Sequence, residues 1–383
     1  MIVAGEASGD LYGAGFVRSL KKRIPELKVS GMGGDRMKAE GVEILSDIKE
    51  VSVVGITEVI SNLGRIKKAL SLLKNRLAKE RPDALILIDF PDFNLRLAKK
   101  AKAVGIPVIY YISPQVWAWR PNRVKKIVRF VDKMLVAFPF EVDIYRKAGL
   151  DCEFVGHPIL DELSGQIPLS PPLLKGDSGG LKEEGMKRYN LDPERPVLAL
   201  LPGSRKREVE VLLPIMLETL DLLNSTGIQA IIPVAPTVDF YIVKDMIKGR
   251  DIVLTKGEVQ EVLSLSDAAI IASGTATLQA AIKGVPMVIV YKLSPITYLL
   301  GKVLVKVKNI GIVNILSGRE IVPELIQSDA KPEKIAGVIK KILEDSLYGE
   351  KMKKDLLDVR EKLGSPGASD RAAEAVIGLI GEK

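Results

Sequence analysis

The sequence predicts an α/β protein of two doubly wound domains, each a parallel sheet covered on both faces, facing each other across a cleft. Three observations carry this. Short apolar runs alternate with helical patterns through the first half, the rhythm breaks at a Pro- and Gly-rich stretch, and it resumes from Val197. With 383 residues and 47% hydrophobic content, the chain can bury two separate cores.

Residues 1–4 are all that a first strand can use, so either the given start is late or that strand is short; a helix over 11–22 follows. The next helix, over 58–79, places Val59, Leu63, Ile66, Leu70, Leu73 and Leu77 at alternating steps of four and three, which gives one apolar stripe. Arg65, Lys67, Lys68, Lys74, Arg76 and Lys79 make its other face basic. A strand over 83–88, a helix over 95–104 and strands over 108–112 and 134–137 complete the first half. Residues 165–185 hold Pro168, Pro171, Pro172, Gly176, Gly179 and Gly180 without periodicity, the composition of a linker or solvated insertion. In the second half the expected strands are 197–201, 230–233, 252–254, 268–271 and 287–291, with helices over 208–223 and 275–283. The expected division is a Rossmann-like domain over 1–163, linker over 164–186, a second Rossmann-like domain over 187–365 and a terminal helical segment over 366–383. Where that last helix, 371–380, docks is not legible in the sequence.

Two strand-to-helix loops read as anion seats. Leu201-Pro202-Gly203-Ser204-Arg205 and Ala272-Ser273-Gly274-Thr275-Ala276-Thr277 each follow an apolar run and open a helix. Each would aim unpaired N–H groups and a helix dipole at a negative ligand, and Arg205 adds a fork-shaped charge suited to phosphate. An ordinary turn, with glycine and a hydroxyl cap, is the alternative for either loop alone. Their place in one run of alternating strands and helices favours a diphosphate at the carboxyl ends of the strands. Neither a G-x-x-x-x-G-K-[ST] pattern nor, in Gly5-Glu6-Ala7-Ser8-Gly9-Asp10, the G-x-G-x-x-G spacing occurs, which argues against P-loop hydrolysis and dinucleotide chemistry.

Asp89 ends the uninterrupted run Ala84-Leu85-Ile86-Leu87-Ile88 and should emerge at the carboxyl edge. A carboxylate there is a candidate general base, with capping of the next helix as the alternative. Asp92 is expected to cap that helix; Glu6 and Asp10 border the same edge, Asp10 more as a cap. Cys152 and His157 are the only residues of their kinds, so an internal disulfide, a thiolate metal cluster and a histidine-rich metal site are excluded, and a reducing cytoplasm suits the chain. His157 in Gly156-His157-Pro158 reads as a turn residue. No aspartates stand two apart, so the D-x-D metal pattern is missing and metal-free chemistry is expected.

The formal charge of +8 calls for an anionic partner, while 5% aromatic content supports a nucleic-acid stacking surface poorly. Neither a signal peptide nor an apolar run long enough to span a bilayer is found. The apolar run 51–56 before the basic helix, and the segment 298–308, could rest on an anionic bilayer.

The motifs Gly5-Glu6-Ala7-Ser8-Gly9-Asp10, Asp89-Phe90-Pro91-Asp92-Phe93-Asn94, Ile112-Ser113-Pro114-Gln115-Val116-Trp117-Ala118-Trp119, Phe138-Pro139-Phe140-Glu141, Val155-Gly156-His157-Pro158, Leu201-Pro202-Gly203-Ser204-Arg205 and Ser273-Gly274-Thr275 stand in this order. In this the chain resembles the lipid-A-disaccharide synthase family, from its first residues to about residue 326. The resemblance implies GT-B architecture and an inverting, metal-independent glycosyltransferase without cofactor. It would join UDP-2,3-diacylglucosamine to 2,3-diacylglucosamine 1-phosphate, giving the β-1,6-linked lipid A disaccharide phosphate and UDP. Asp89 would take the acceptor proton; Gly203, Ser204, Arg205, Ser273, Gly274, Thr275, Gln279 and Asn314 would hold the UDP-sugar; Glu6, Ser8 and Gly9 would lie on the acceptor side. Gln279 departs from the acidic residue many such enzymes use to hold the ribose, yet an amide can accept one hydroxyl and donate to another. The implied setting is cytoplasmic, peripheral on the inner face of the inner membrane, with an anionic membrane surface as partner, a homodimer as a further expectation, and no nucleic acid. A UDP-N-acetylglucosamine 2-epimerase or the peptidoglycan glucosaminyltransferase would share the architecture, but the amino-terminal motifs oppose both.

Overall fold

The computed structural model describes residues 1–51, 56–119, 122–164, 178–292 and 309–381. The segment 298–308, most of the run 51–56 and residues 165–177 of the expected linker lie outside these. The described chain divides into two compact units, residues 1–164 with 363–381, and residues 178–362.

In the first unit β1 (Ile2–Ala4), β2 (Ser30–Gly33), β3 (Glu43–Asp47), β4 (Leu85–Ile88), β5 (Val108–Tyr111), β6 (Lys133–Val136) and β7 (Asp151–Phe154) form one sheet in the order β3-β2-β1-β4-β5-β6-β7. Every pairing is parallel. Alternation along each strand feeds two cores: Leu85, Leu87, Val108 and Tyr110 enter one face, Ile86, Ile88, Ile109 and Tyr111 the other. The second unit repeats the plan with β8 (Val197–Leu201), β9 (Gln229–Val234), β10 (Ile252–Lys256), β11 (Ala268–Ala272), β12 (Met287–Tyr291) and β13 (Glu324–Ile326) in the order β10-β9-β8-β11-β12-β13, again all parallel. In both sheets the winding reverses between the first and fourth strands of the unit, at β1/β4 and at β8/β11. Beyond the carboxyl ends of the strands at such a switch point is where ligands of doubly wound sheets generally bind.

The helix Ile56–Glu80 buries Ala69, Leu70, Leu73 and Leu77, but Leu63 stays 42% exposed. Among the stripe's described side chains, those from Ile66 onward meet the core. Ser178–Arg188, read as the end of the linker, is a helix of the second unit. It buries Met186 and brings Gly185 against Leu265, too faint a pattern to see among its glycines. The terminal helix Ala368–Gly381 returns to the first unit, packing on Ala7–Arg23 and burying Ala372, Ala373 and Val376. Its first N–H groups, Gly367, Ala368 and Ser369, donate to the Asp161 carboxylate at 2.6, 3.0 and 2.8 Å, a cap supplied from a distant part of the chain.

Candidate active site

At the first switch point β4 stops on Asp89. Asp89 and Phe90 both take left-handed backbone, with φ of 44° each, before the helix Pro91–Ala103 begins. The Asp89 carbonyl accepts the Tyr110 hydroxyl from β5 and Asn94 Nδ2 at 2.7 Å; the same Asn94 amide donates to the Ile88 carbonyl at 3.1 Å. From the β1 side Gly5 leaves room for the Phe90 ring, which a Cβ at that position would overlap. The Asp89 side chain remains partly accessible. Burial, and then the Glu6 carboxylate, push its carboxyl up to about 6 against the opposing Phe90 N–H and Arg123. It is ionised at neutral pH and holds a proton more tightly than an ordinary aspartate, as a general base should.

Its neighbours have other duties. Asp92 lies in the first turn of the helix Pro91–Ala103, where the helix dipole favours it, and pairs with Arg123 at 2.8 Å. Asp10 is a cap, though for a different helix: its carboxylate accepts the N–H groups of Gly34, Arg36 and Met37 at the start of Asp35–Ala39. Glu6 is the N-cap residue of Ala7–Arg23, and Ser8 is half-buried in its first turn. Gly9 is buried, letting that helix lie against Ala4 and Ile88, which is a packing role. His157 is buried between the rings of Tyr12 and Phe138, accepts the Ile159 N–H, and is held to about 3 by burial.

Glu141 is the residue that sequence reasoning passed over. It is 1% exposed, accepts Trp117 Nε1 at 3.1 Å and the Phe138 N–H at 3.3 Å, and is pushed up to about 8 by burial. A neutral acid thus anchors the Trp117 indole, whose ring meets Phe140 edge-on at 5.3 Å. The signal was a glutamate in the apolar run Phe138-Pro139-Phe140-Glu141.

At the second switch point the two expected seats differ. In the first, Gly203 takes a φ of 117° and the helix Lys206–Leu222 follows, but Glu208 turns back into the loop. Its carboxylate accepts the Ser204 N–H at 3.2 Å and Arg205 Nη1 at 2.9 Å, so an acid of the chain sits where an anion would be received. In the second, Gly274 precedes the helix Thr275–Lys283, and space around the missing Cβ is open. No acceptor among the described residues meets the N–H groups of Gly274, Thr275 or Ala276. Gln279, half-buried, lies one turn after Thr275 on the same helix face. Asn314 does not offer itself to a ligand: it is buried, its amide donates to the Val322 carbonyl and Glu324, and its oxygen accepts the Ile321 and Val322 N–H groups. With two donations and two acceptances its capacity is filled, and it braces the loop before β13. The first unit thus carries a carboxyl of raised proton affinity at its switch point, and the second an open helix start at Gly274. No helix among the described residues is long and apolar enough to cross a membrane.

A sequence profile described as lipid-A-disaccharide synthetase matches residues 1–377. A relative from Geobacter metallireducens named lipid-A-disaccharide synthase is 46% identical over 387 residues, covering 100% of this chain and 97% of the relative. One of the same name from Myxococcus xanthus is 44% identical over 384 residues, covering 99% and 97%. Among solved structures, UDP-GlcNAc 2-epimerase from Neisseria meningitidis bound to UDP-GlcNAc is similar with a TM-score of 0.63 at 12% identity, covering 96% of this chain and 97% of that one. The calicheamicin glycosyltransferase CalG4 gives 0.59 at 14% identity, covering 98% and 96%. At such identities the likeness concerns the fold, two parallel-sheet domains of the GT-B class.

Proposed function

The chain belongs to the lipid-A-disaccharide synthase family, glycosyltransferases of lipid A biosynthesis, and on that premise we propose the following reaction. UDP-2,3-diacylglucosamine and 2,3-diacylglucosamine 1-phosphate combine to give the β-1,6-linked disaccharide 1-phosphate and UDP, with inversion and without a metal. The supporting observation is the division of chemistry between the two switch points: a carboxylate of raised proton affinity after β4, and an open helix start at Gly274 after β11. The acceptor 6-hydroxyl oxygen attacks the donor anomeric carbon from the face opposite the diphosphate. As that bond forms, Asp89 takes the hydroxyl proton, the bond from the anomeric carbon to the diphosphate oxygen breaks, and its electron pair leaves with UDP. Charge gathering on UDP is met by the N–H groups at Gly274 and Thr275 and by Arg205 once Glu208 yields it. Glu6 and Ser8 border the acceptor; Gln279 faces the ribose.

Mass spectrometry of the product made from both diacyl sugars in excess chelator tests this reading. The disaccharide phosphate and UDP are expected. An epimerised UDP-sugar formed without acceptor would contradict the transfer, and product appearing only on addition of magnesium would contradict the metal-free step.

A further inference from the structure

Left-handed backbone at two consecutive non-glycine residues persists only where the surroundings over-determine it, and such strain collects at functional sites. The Asp89–Phe90 turn is held from three sides. Tyr110 reaches across from β5 with its hydroxyl on the Asp89 carbonyl, Asn94 donates to the same carbonyl from the helix that follows, and Phe90 is seated on Gly5. Tyr110 and Asn94 are both 0% exposed. Asn94 Oδ1 is buried and meets no donor among the described residues, so this asparagine is kept for its two donations to the end of β4 in spite of an unsatisfied acceptor. A tyrosine hydroxyl spent on a main-chain carbonyl of the neighbouring strand end does nothing for the sheet ladder. It fixes the direction in which the Asp89 side chain leaves that strand.

We propose that Tyr110 and Asn94 are positioning residues for the general base: by clamping the Asp89 carbonyl they lock the left-handed turn and hold the carboxylate in its reactive direction. The proposal rests on Asp89 being the base. The charged groups facing that carboxyl are Glu6 from the loop after β1, Arg123 from the helix Arg123–Phe130, and Glu141, itself protonated at neutral pH; the Phe90 N–H is its near donor. Because the base must be unprotonated, kcat/KM falls as pH drops through about 6. A released turn admits water to the carboxyl and moves that acid limb to lower pH.

Tyr110→Phe removes one clamp and keeps the ring. Its expected effect is a fall in kcat of roughly ten- to a hundred-fold, the scale of a small misplacement, with KM for the UDP-sugar unchanged and the acid limb shifted down. Tyr111→Phe is the control, the same deletion on the same strand but on the opposite face of the sheet, and leaves kcat and the limb in place. Should Tyr110→Phe not fold, Asn94→Ser reads the same quantities. Parental kcat and parental acid limb in the folded variant overturn the clamp. Asp89→Asn measured alongside separates the two claims: if it turns over like the parent, the base assignment falls and the clamp with it, whereas an inactive Asp89→Asn beside an unaffected Tyr110→Phe removes the clamp alone.

Discussion

Glu208 places a carboxylate where the loop after β8 would receive a phosphate, against the Ser204 N–H and Arg205. On the proposed reaction the UDP diphosphate would have to displace it, so the chain's own acid would compete with the ligand. Glu208→Gln keeps the shape and removes the charge; UDP should bind about two- to five-fold more tightly by titration calorimetry, the scale of a partly exposed ion pair. Weaker binding would mean that Glu208 orders Arg205 for the ligand instead. Single residues were legible in the sequence where pattern and chemistry coincide. Asp89 is one, because an apolar run stops on it. Asn314 and Glu141 were not, since what an amide or a carboxyl does depends on partners brought by other segments, Glu324 and Val322 for one, Trp117 for the other.

Among elements, strands made of unbroken apolar residues, β4, β5, β8 and β11, announce themselves because both of their faces are buried. β2 and β7, Ser30–Gly33 and Asp151–Phe154, carry too few apolar residues to be read, and parallel pairing with β1 and β6 makes them strands. The helix Ile56–Glu80 was legible as amphipathic, yet only the fold reveals what its outer face presents. Leu72, 41% exposed, lies with Arg65, Lys68 and Lys79 at helical spacing on that face. On the proposed reaction, whose diacyl substrates would lie in a bilayer, this surface would serve as the contact with an anionic membrane. The protein should sediment with anionic vesicles at low salt and partly release as salt rises, each basic residue adding about 1 kcal/mol. Leu72→Ser should lower the fraction that resists salt. Equal sedimentation with neutral vesicles would remove the electrostatic part of this account.

Across the whole molecule the doubled βα rhythm was enough to foresee two doubly wound sheets, since each half carries its own alternation. The return of the last helix to the first unit was not foreseeable. It depends on Asp161 capping Gly367 to Ser369 and on Arg371 donating to the Val155 carbonyl, contacts between stretches some two hundred residues apart. On the proposed reaction the base lies in one unit and the UDP seat in the other, so the two roles should come apart under mutation. Asp89→Asn is nearly isosteric, and asparagine tolerates left-handed backbone, so the fold is spared. The account predicts that this variant loses on the order of a hundred- to ten-thousand-fold in turnover while its affinity for UDP stays that of the parent. Parental turnover in Asp89→Asn would contradict it.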